Sequence, residues 1–305
     1  MKAKVLSALG GENLKKLIKI IGRENIKGYT FILPFIIGTI LFFAFPIIRS
    51  LMISFAKITE VSTFTLEFVG FKNYKDLFFT DTQFIPYFLN SAKEILINSP
   101  LIIIFSMGIG ILVNGKIAGR GFFRSVYFLP VVLGSGFIMQ QLMKVNINQQ
   151  AMQTAIEVLL PQNIQIYLGA NGNQFVVEFL SRVSLVLWSS GVQIVIYLAA
   201  LQGVSKSLYE AAKVDGASEW EMFWKITLPM TVPIISLIAV FTIISLSVDF
   251  NTPIVNYINW LSFKGSIIKF EYASSVSWFY SLFVGILIVI VTIVLRPFNN
   301  NVKDI

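Results

Sequence analysis

Long, nearly uninterrupted apolar runs constrain this chain more than any other feature. They extend from Tyr29 to Ala56, Ile95 to Asn114, Phe122 to Met143, Val183 to Val204, Val232 to Val248 and Ala273 to Leu295. The hydrocarbon core of a bilayer takes about 20 mainly apolar residues per helix, so these runs predict about six transmembrane helices. No water is present there to satisfy backbone groups, which leaves helices or a closed barrel as the only spanning forms. The ten-residue alternation of barrel strands is absent, and the chain reads as all-α and integral to the membrane.

Composition narrows the chemistry. Hydrophobic residues make up 55% of the chain and charged residues 13%, and neither histidine nor cysteine occurs. The commonest general base and the usual zinc and thiolate ligands are thereby removed, and no bound cofactor or metal is expected. The formal charge of +8 does not point to nucleic acid, because the basic residues flank apolar runs and act as anchors at a lipid surface.

The same basic residues set the orientation. Lys2, Lys4, Lys15, Lys16, Lys19, Arg23, Lys27, Lys116, Arg120, Arg124, Lys206, Lys213, Lys225, Arg296 and Lys303 fall on one side, and only Lys57, Lys72, Lys75, Lys144, Lys264 and Lys269 on the other. Positive loops are retained inside, so both termini are expected in the cytoplasm of a multi-pass protein of the bacterial cell membrane. A basic segment, 1–28, precedes one membrane domain, 29–296, and 297–305 form a cytoplasmic tail. Met1 to Lys27 lacks the apolar region and cleavage site of a signal peptide, and Leu14, Leu17, Ile18 and Ile21 suit a helix lying on the membrane surface, with a partly disordered basic tail as the equal alternative. Lys144 to Leu180 reads as a polar external excursion with a turn at Gly169-Ala170-Asn171-Gly172-Asn173 and an amphipathic piece at Ala151 to Leu160.

The connection between the fourth and fifth runs, 203–230, carries more punctuation than a passive loop requires. Ser207 with Glu210 has capping-box spacing, Gly216 suits the left-handed end of a helix, and Ser218 with Glu221 repeats the capping box. Two short helices are predicted, the second closed by Pro229 and presenting Trp220, Phe223 and Trp224 on one face. Such an aromatic face on the cytoplasmic side suits docking into a groove of another protein or, alternatively, an interfacial tryptophan anchor.

Glu210-Ala211-Ala212-Lys213-Val214-Asp215-Gly216-Ala217, followed by Ile226, Leu228 and Pro229, closely resembles the EAA signature of permease subunits in ABC-type importers. Val69-Gly70-Phe71-Lys72-Asn73-Tyr74, and Gly119-Arg120-Gly121-Phe122-Phe123-Arg124 with Leu129-Pro130, resemble the carbohydrate-importing branch. The resemblance implies a type I importer permease fold in which Glu210, Ala211, Ala212, Asp215 and Gly216 form a coupling helix seated on a cytoplasmic ATPase. It also implies a second, non-identical permease and an extracytoplasmic solute-binding protein. Lys213 stands where that branch often has arginine, and Asn251 to Phe270 lacks the expected Gly-Gly-Pro loop. The chain has no GxxxxGK[ST] phosphate cradle, since Gly203-Val204-Ser205-Lys206-Ser207 lacks the glycine pair, so ATP and Mg are expected on the partner.

Polar groups within or beside apolar spans are costly in lipid and face a cavity or another helix. Asn98, Gln140, Gln141, Trp188, Gln193, Asp249 and Tyr280 are the candidates for a solute path. Amides suit sugar hydroxyls and an aromatic face suits a sugar ring, whereas interhelical hydrogen bonds or interfacial anchoring are the better account of any single one. Lys93 and Glu94 are expected at the membrane interface, and Arg49, near the Pro46 bend, could contact the outer loop or a partner. Alternatives are an importer for another solute and, from a different class, a membrane enzyme acting on lipid-linked substrates; the latter would need convergent carboxylates, whereas the acidic residues are scattered.

Overall fold

The computed structural model describes residues 30–60, 65–115, 121–122, 162–250, 252–265 and 269–300. Beyond its first residue, the third expected run lies outside them, together with the basic first segment, Ala151 to Leu160, and the Gly119 to Pro130 motif except Gly121 and Phe122. Apart from turns and one two-stranded hairpin, the described residues are helical. Among them, four helices are long and apolar enough to cross a membrane, or five if a bent pair is one span. These are α1 (Thr30–Ser54), α3 (Phe84–Asn114), α7 (Glu219–Ser247) and α9 (Phe270–Arg296), with the bent pair formed by Asn171–Ser189 and α5 (Gly191–Gly203).

Prolines leave a distinctive mark on two of these spans. In α1 a π-helical turn covers Ile40–Ala44 just before Pro46, and the Phe45 N–H bonds to the Ile40 carbonyl. In α7 the π-turn Phe223–Thr227 stands just before Pro229, and the Leu228 N–H bonds to the Phe223 carbonyl. A proline ring collides with the carbonyl four residues earlier and offers no N–H to it. Widening the preceding turn relieves the collision, so the helix passes through the proline instead of ending. Pro229 therefore does not close the loop segment, contrary to the sequence expectation, and Leu228 keeps helical angles.

The described residues form two compact units. One comprises the chain to Thr80 with Leu261–Trp278. In it, β1 (Ala56–Glu60) and β2 (Thr65–Phe68) form an antiparallel hairpin with Ala56 opposite Phe68, followed by α2 (Lys72–Phe79). Asn73 is buried and its amide donates to the carbonyls of Ser54 and Ala56, each at 2.9 Å. The Tyr74 hydroxyl meets Ser54 Oγ at 2.8 Å, and Ser275 Oγ donates to the Ser54 carbonyl. Rings of Phe55, Phe71 and Tyr74 cluster around this point. The Val69 to Tyr74 motif thus fixes the exit of the chain from α1 by satisfying carbonyls that a helix end leaves open.

The other unit comprises Asp81–Trp260 and Phe279 onward. Its centre is the packing of α3 against α5 and α7. The buried stripe of α3 is rich in small residues, Ser91, Ala92, Ser99, Ser106 and Gly110, which let helices approach closely. The serine hydroxyls donate back to the carbonyls of Tyr87, Ile95 and Ile102, so no polar group of theirs is left open in an apolar setting. A Cβ at Gly110 would lie 2.7 Å from the Tyr197 ring, which explains the absence of a side chain there. Tyr197, Leu201, Ile235 and Ile238 form the core, with Ile103, Met107 and Leu228 against it.

Helix α4 (Gln162–Ser189) begins within the stretch expected to be an external excursion. Of the five turn residues, Gly169 alone has non-helical angles inside α4, at φ 65° and ψ −175°, and the chain from Asn171 is already helical. Asparagine and glycine lower helix propensity by up to about 1 kcal/mol each, which packing overrides. The fourth span is therefore not one straight helix from Val183 but a pair bent by 53° at the buried Ser190.

Candidate functional site

The coupling-loop candidates sit on α6 (Lys206–Val214) and the start of α7. Ser205 has extended angles and serves as the N-cap of α6, with its hydroxyl 2.7 Å from that of Ser207. The expected Ser207–Glu210 capping box does not form, because the helix starts ahead of Ser207 and places Glu210 beyond the first turn. The end of α6 matches expectation. Gly216 adopts φ +80°, its N–H bonds to the Lys213 carbonyl, and the Ala217 N–H reaches back to Ala212. This paired pattern satisfies the last carbonyls of the helix and requires the left-handed conformation that glycine adopts at no steric cost.

Two residues later the capping box at Ser218 is complete. The Glu221 N–H donates to Ser218 Oγ, and the Ser218 N–H donates to the Glu221 carboxylate at 2.9 Å. Trp220, Phe223 and Trp224 pack ring to ring at 5.1 to 6.2 Å. The cluster stays open to the surroundings, with Trp220 69% and Trp224 50% exposed. Glu210, Ala211, Asp215 and Gly216 are also exposed and Ala212 is half-buried, so the whole element projects from the helices that carry it. A hollow of about 260 Å³ lies in the angle between the two helices, lined by Ile111, Tyr209, Lys213, Glu219, Met222, Phe223 and Thr227.

The solute-path candidates divide. Asn98 and Asp249 line one small cavity of about 30 Å³ together with Glu94, Ile95, Leu185, Leu246 and Thr252. Asn98 is 6% exposed, and its carbonyl oxygen accepts a hydrogen bond from Arg182 of α4 at 3.2 Å. Glu94 lies within electrostatic reach of both Arg182 and Asp249. Tyr280 is buried near the same end of α7, donating its hydroxyl to the Ser247 carbonyl at 3.2 Å. Gln193 is not part of this group. It is 1% exposed, its amide donates to Thr242 Oγ1, and its carbonyl oxygen has no partner among the described residues. Trp188 is exposed, and Gln140 and Gln141 lie outside the described residues.

Sequence reasoning misses two groups here, Glu94 in the cavity lining and Arg182 bonded to Asn98. Glu94 reads as interfacial because the second apolar run begins at Ile95, whereas α3 begins at Phe84. Arg182 stands immediately before the fourth run, and a lone cation at the lip of an apolar stretch is the signal that could have found it.

At the head of α3, Asp81 caps the helix by accepting the Gln83 and Phe84 N–H groups, and it also accepts the Tyr257 hydroxyl of α8 (Pro253–Asn259). Burial, reinforced by that carboxylate, raises the Tyr257 phenol above its ordinary range.

Comparison with known proteins shows the family. Residues 77–303 match the family described as the binding-protein-dependent transport system inner membrane component. The chain is similar to the probable ABC transporter permease protein YesP of Bacillus subtilis, 31% identical over 229 residues that cover 74% of this chain and 71% of the relative. It is also similar to the multiple sugar-binding transport system permease protein MsmF of Streptococcus mutans, 30% identical over 218 residues, or 69% of this chain and 71% of the relative. A solved chain of a bacterial alginate ABC transporter, in complex with an alginate pentasaccharide-bound periplasmic protein, superposes with a TM-score of 0.61 at 21% identity. The superposition covers 93% of this chain and 98% of the other, and it shows the shared type I importer permease fold. This chain belongs to the binding-protein-dependent transport system inner membrane components, the permease subunits of ABC importers.

Proposed function

We propose that this permease forms half of the translocation path for a sugar or oligosaccharide, and that Glu210, Ala211, Ala212, Asp215, Gly216, Trp220, Phe223 and Trp224 couple it to a separate cytoplasmic ATPase. The observation that carries the reading is the exposed pair of helices broken at Gly216, with an unburied aromatic cluster, in a chain of this family. Docking into a cleft buries such rings and accounts for their exposure in the isolated subunit. ATP and Mg bind and react on the ATPase, and this chain supplies the moving path.

The sugar named for a relative, and the oligosaccharide carried by the periplasmic partner of the solved transporter, support the substrate class. Asn98, Asp249 and Tyr280 offer an amide, a carboxylate and a phenol near one end of the buried helices, groups that suit hydroxyl recognition. A second, non-identical permease, a solute-binding protein outside, and cytoplasmic termini complete the proposed assembly. The positive-inside distribution supports that orientation.

The test is to purify the tagged chain from its native membrane in mild detergent and identify its companions by mass spectrometry, then repeat with Glu210→Ala and Trp224→Ala. An ATPase recovered with the unaltered chain and lost with the variants supports the coupling assignment. Recovery of no ATPase with the unaltered chain overturns it.

A further inference from the structure

Between the exposed loop and the long span of α7 lies a mechanically weak point. The π-turn Phe223–Thr227 is wider than an α-turn, and Pro229 offers no N–H to the Lys225 carbonyl. A push delivered to the aromatic cluster would bend this joint before it moved the span. Side chains bridge the joint. The Tyr209 hydroxyl, on α6, lies 2.9 Å from Thr227 Oγ1 at the last residue of the π-turn. Thr227 Oγ1 also lies 3.4 Å from the Met222 carbonyl at the start of the turn, an acceptor it serves when Tyr209 donates to it. One turn further on, Thr231 Oγ1 reaches the Thr227 carbonyl at 2.8 Å and lies 3.5 Å from the Tyr197 hydroxyl on α5. Thr227, Thr231 and Tyr197 are all buried, and Tyr209 is half-buried beside the hollow.

We infer that Tyr209 and Thr227 form a strut that locks α6 to the π-turn and makes the loop move as one body with α7 and α5. They are positioning residues: neither belongs to the exposed docking surface, and neither lines the cavity that holds Asn98 and Asp249. The backbone ladder is interrupted at Pro229, so the strut carries load that an unbroken helix would carry through its own hydrogen bonds. Its cross-link is selective, because it joins the two helices on either side of the Gly216 break without closing the break itself.

The strut rests on the coupling role proposed above, and the experiment separates the two. The chain lacks cysteine, so a single Leu246→Cys placed in the cavity beside Asn98 and Asp249 reports opening through its rate of labelling by a membrane-impermeant maleimide. The complex is purified with this chain tagged, and labelling is measured with and without Mg-ATP and vanadate, alongside ATP hydrolysis. In the Leu246→Cys background, Mg-ATP and vanadate change the labelling rate. Adding Tyr209→Phe shrinks that change about fivefold, the factor expected for one lost hydrogen bond, and Thr227→Val, which also removes the bond to Met222, shrinks it at least as much, while ATPase recovery and ATP hydrolysis stay as before. The double variant is no worse than Thr227→Val alone, which already removes the bond that Tyr209→Phe removes.

A full nucleotide response in Tyr209→Phe, or additive losses in the double variant, overturns the strut and leaves the coupling role standing. Loss of ATPase recovery together with the response shows a folding or docking defect and likewise overturns it. No nucleotide response in the Leu246→Cys background itself, with the ATPase bound, removes the coupling role and the strut with it.

Discussion

Arg182 donates to the Asn98 carboxamide at 3.2 Å, joining α4 to α3 beside two carboxylates, Glu94 and Asp249. The guanidinium holds the amide in one orientation and offsets the charge around the cavity. Asn98 is buried and Arg182 partly so, and leaving a buried polar group without its partner costs about 1 to 3 kcal/mol. On the proposed sugar-import role, Arg182→Ala is therefore expected to lower uptake by roughly tenfold or more at unchanged membrane abundance. Arg182→Lys is expected to restore charge but not the planar donor geometry, and to recover only part of it. Uptake of radiolabelled sugar into cells, normalised to the amount of chain in the membrane, checks both.

Gly216 has φ +80°, where a β-carbon is strained by about 1 kcal/mol or more. Space is not the constraint, since a β-carbon at this position would meet nothing within 4 Å. The ranking of variants should follow backbone preference: Gly216→Asn mild, Gly216→Ala stronger and Gly216→Val strongest. Recovery of the ATPase with each purified variant measures the series, and a ranking by side-chain size without regard to asparagine would contradict it.

A side chain at Gly110 meets the Tyr197 ring at 2.7 Å, inside the core where α3 crosses α5. Overpacking of this kind costs roughly 1 to 3 kcal/mol. Gly110→Val should lower the thermal midpoint of the detergent-solubilised chain by several degrees, whereas Gly108→Ala, with open space around it, should not. Fluorescence-detected size exclusion after a temperature series reads the difference.

Local chemistry decides what is legible in the sequence. The Gly216 stop and the Ser218–Glu221 box are fixed by residues adjacent in the chain, and both appear where their spacing places them. The aromatic face of Trp220, Phe223 and Trp224 follows from helical periodicity alone. Pro229 reads as a terminator because a proline disfavours the helical region before it. That rule does not foresee that an extra residue in the preceding turn removes the collision. The bend falls at Ser189-Ser190-Gly191 inside the fourth apolar run, where a Ser/Gly pair is the local signal; hydropathy marks how much chain is apolar and not where its axis turns. Arg182 and Asn98 are far apart in sequence, so their pairing is a product of packing that no local pattern carries.

Pro229 supplies the last prediction. Restoring an N–H by Pro229→Ala lets the Lys225 carbonyl receive its ordinary bond, and the π-turn can contract to an α-turn. Removing the extra residue of a π-turn rotates everything before it by about 100° around the axis, given about 3.6 residues per turn. The aromatic cluster would then face away from its present direction relative to α7. The variant should therefore fold at least as well as the original, because alanine favours a helix interior by about 3 kcal/mol over proline. It should nonetheless lose most of its sugar uptake and its recovery of the ATPase. Thermal midpoint and ATPase recovery, measured on the same preparation, check the opposed signs. A stable variant that keeps the ATPase would mean that the π-turn is held by packing around Met222 and Thr227 and not by the proline.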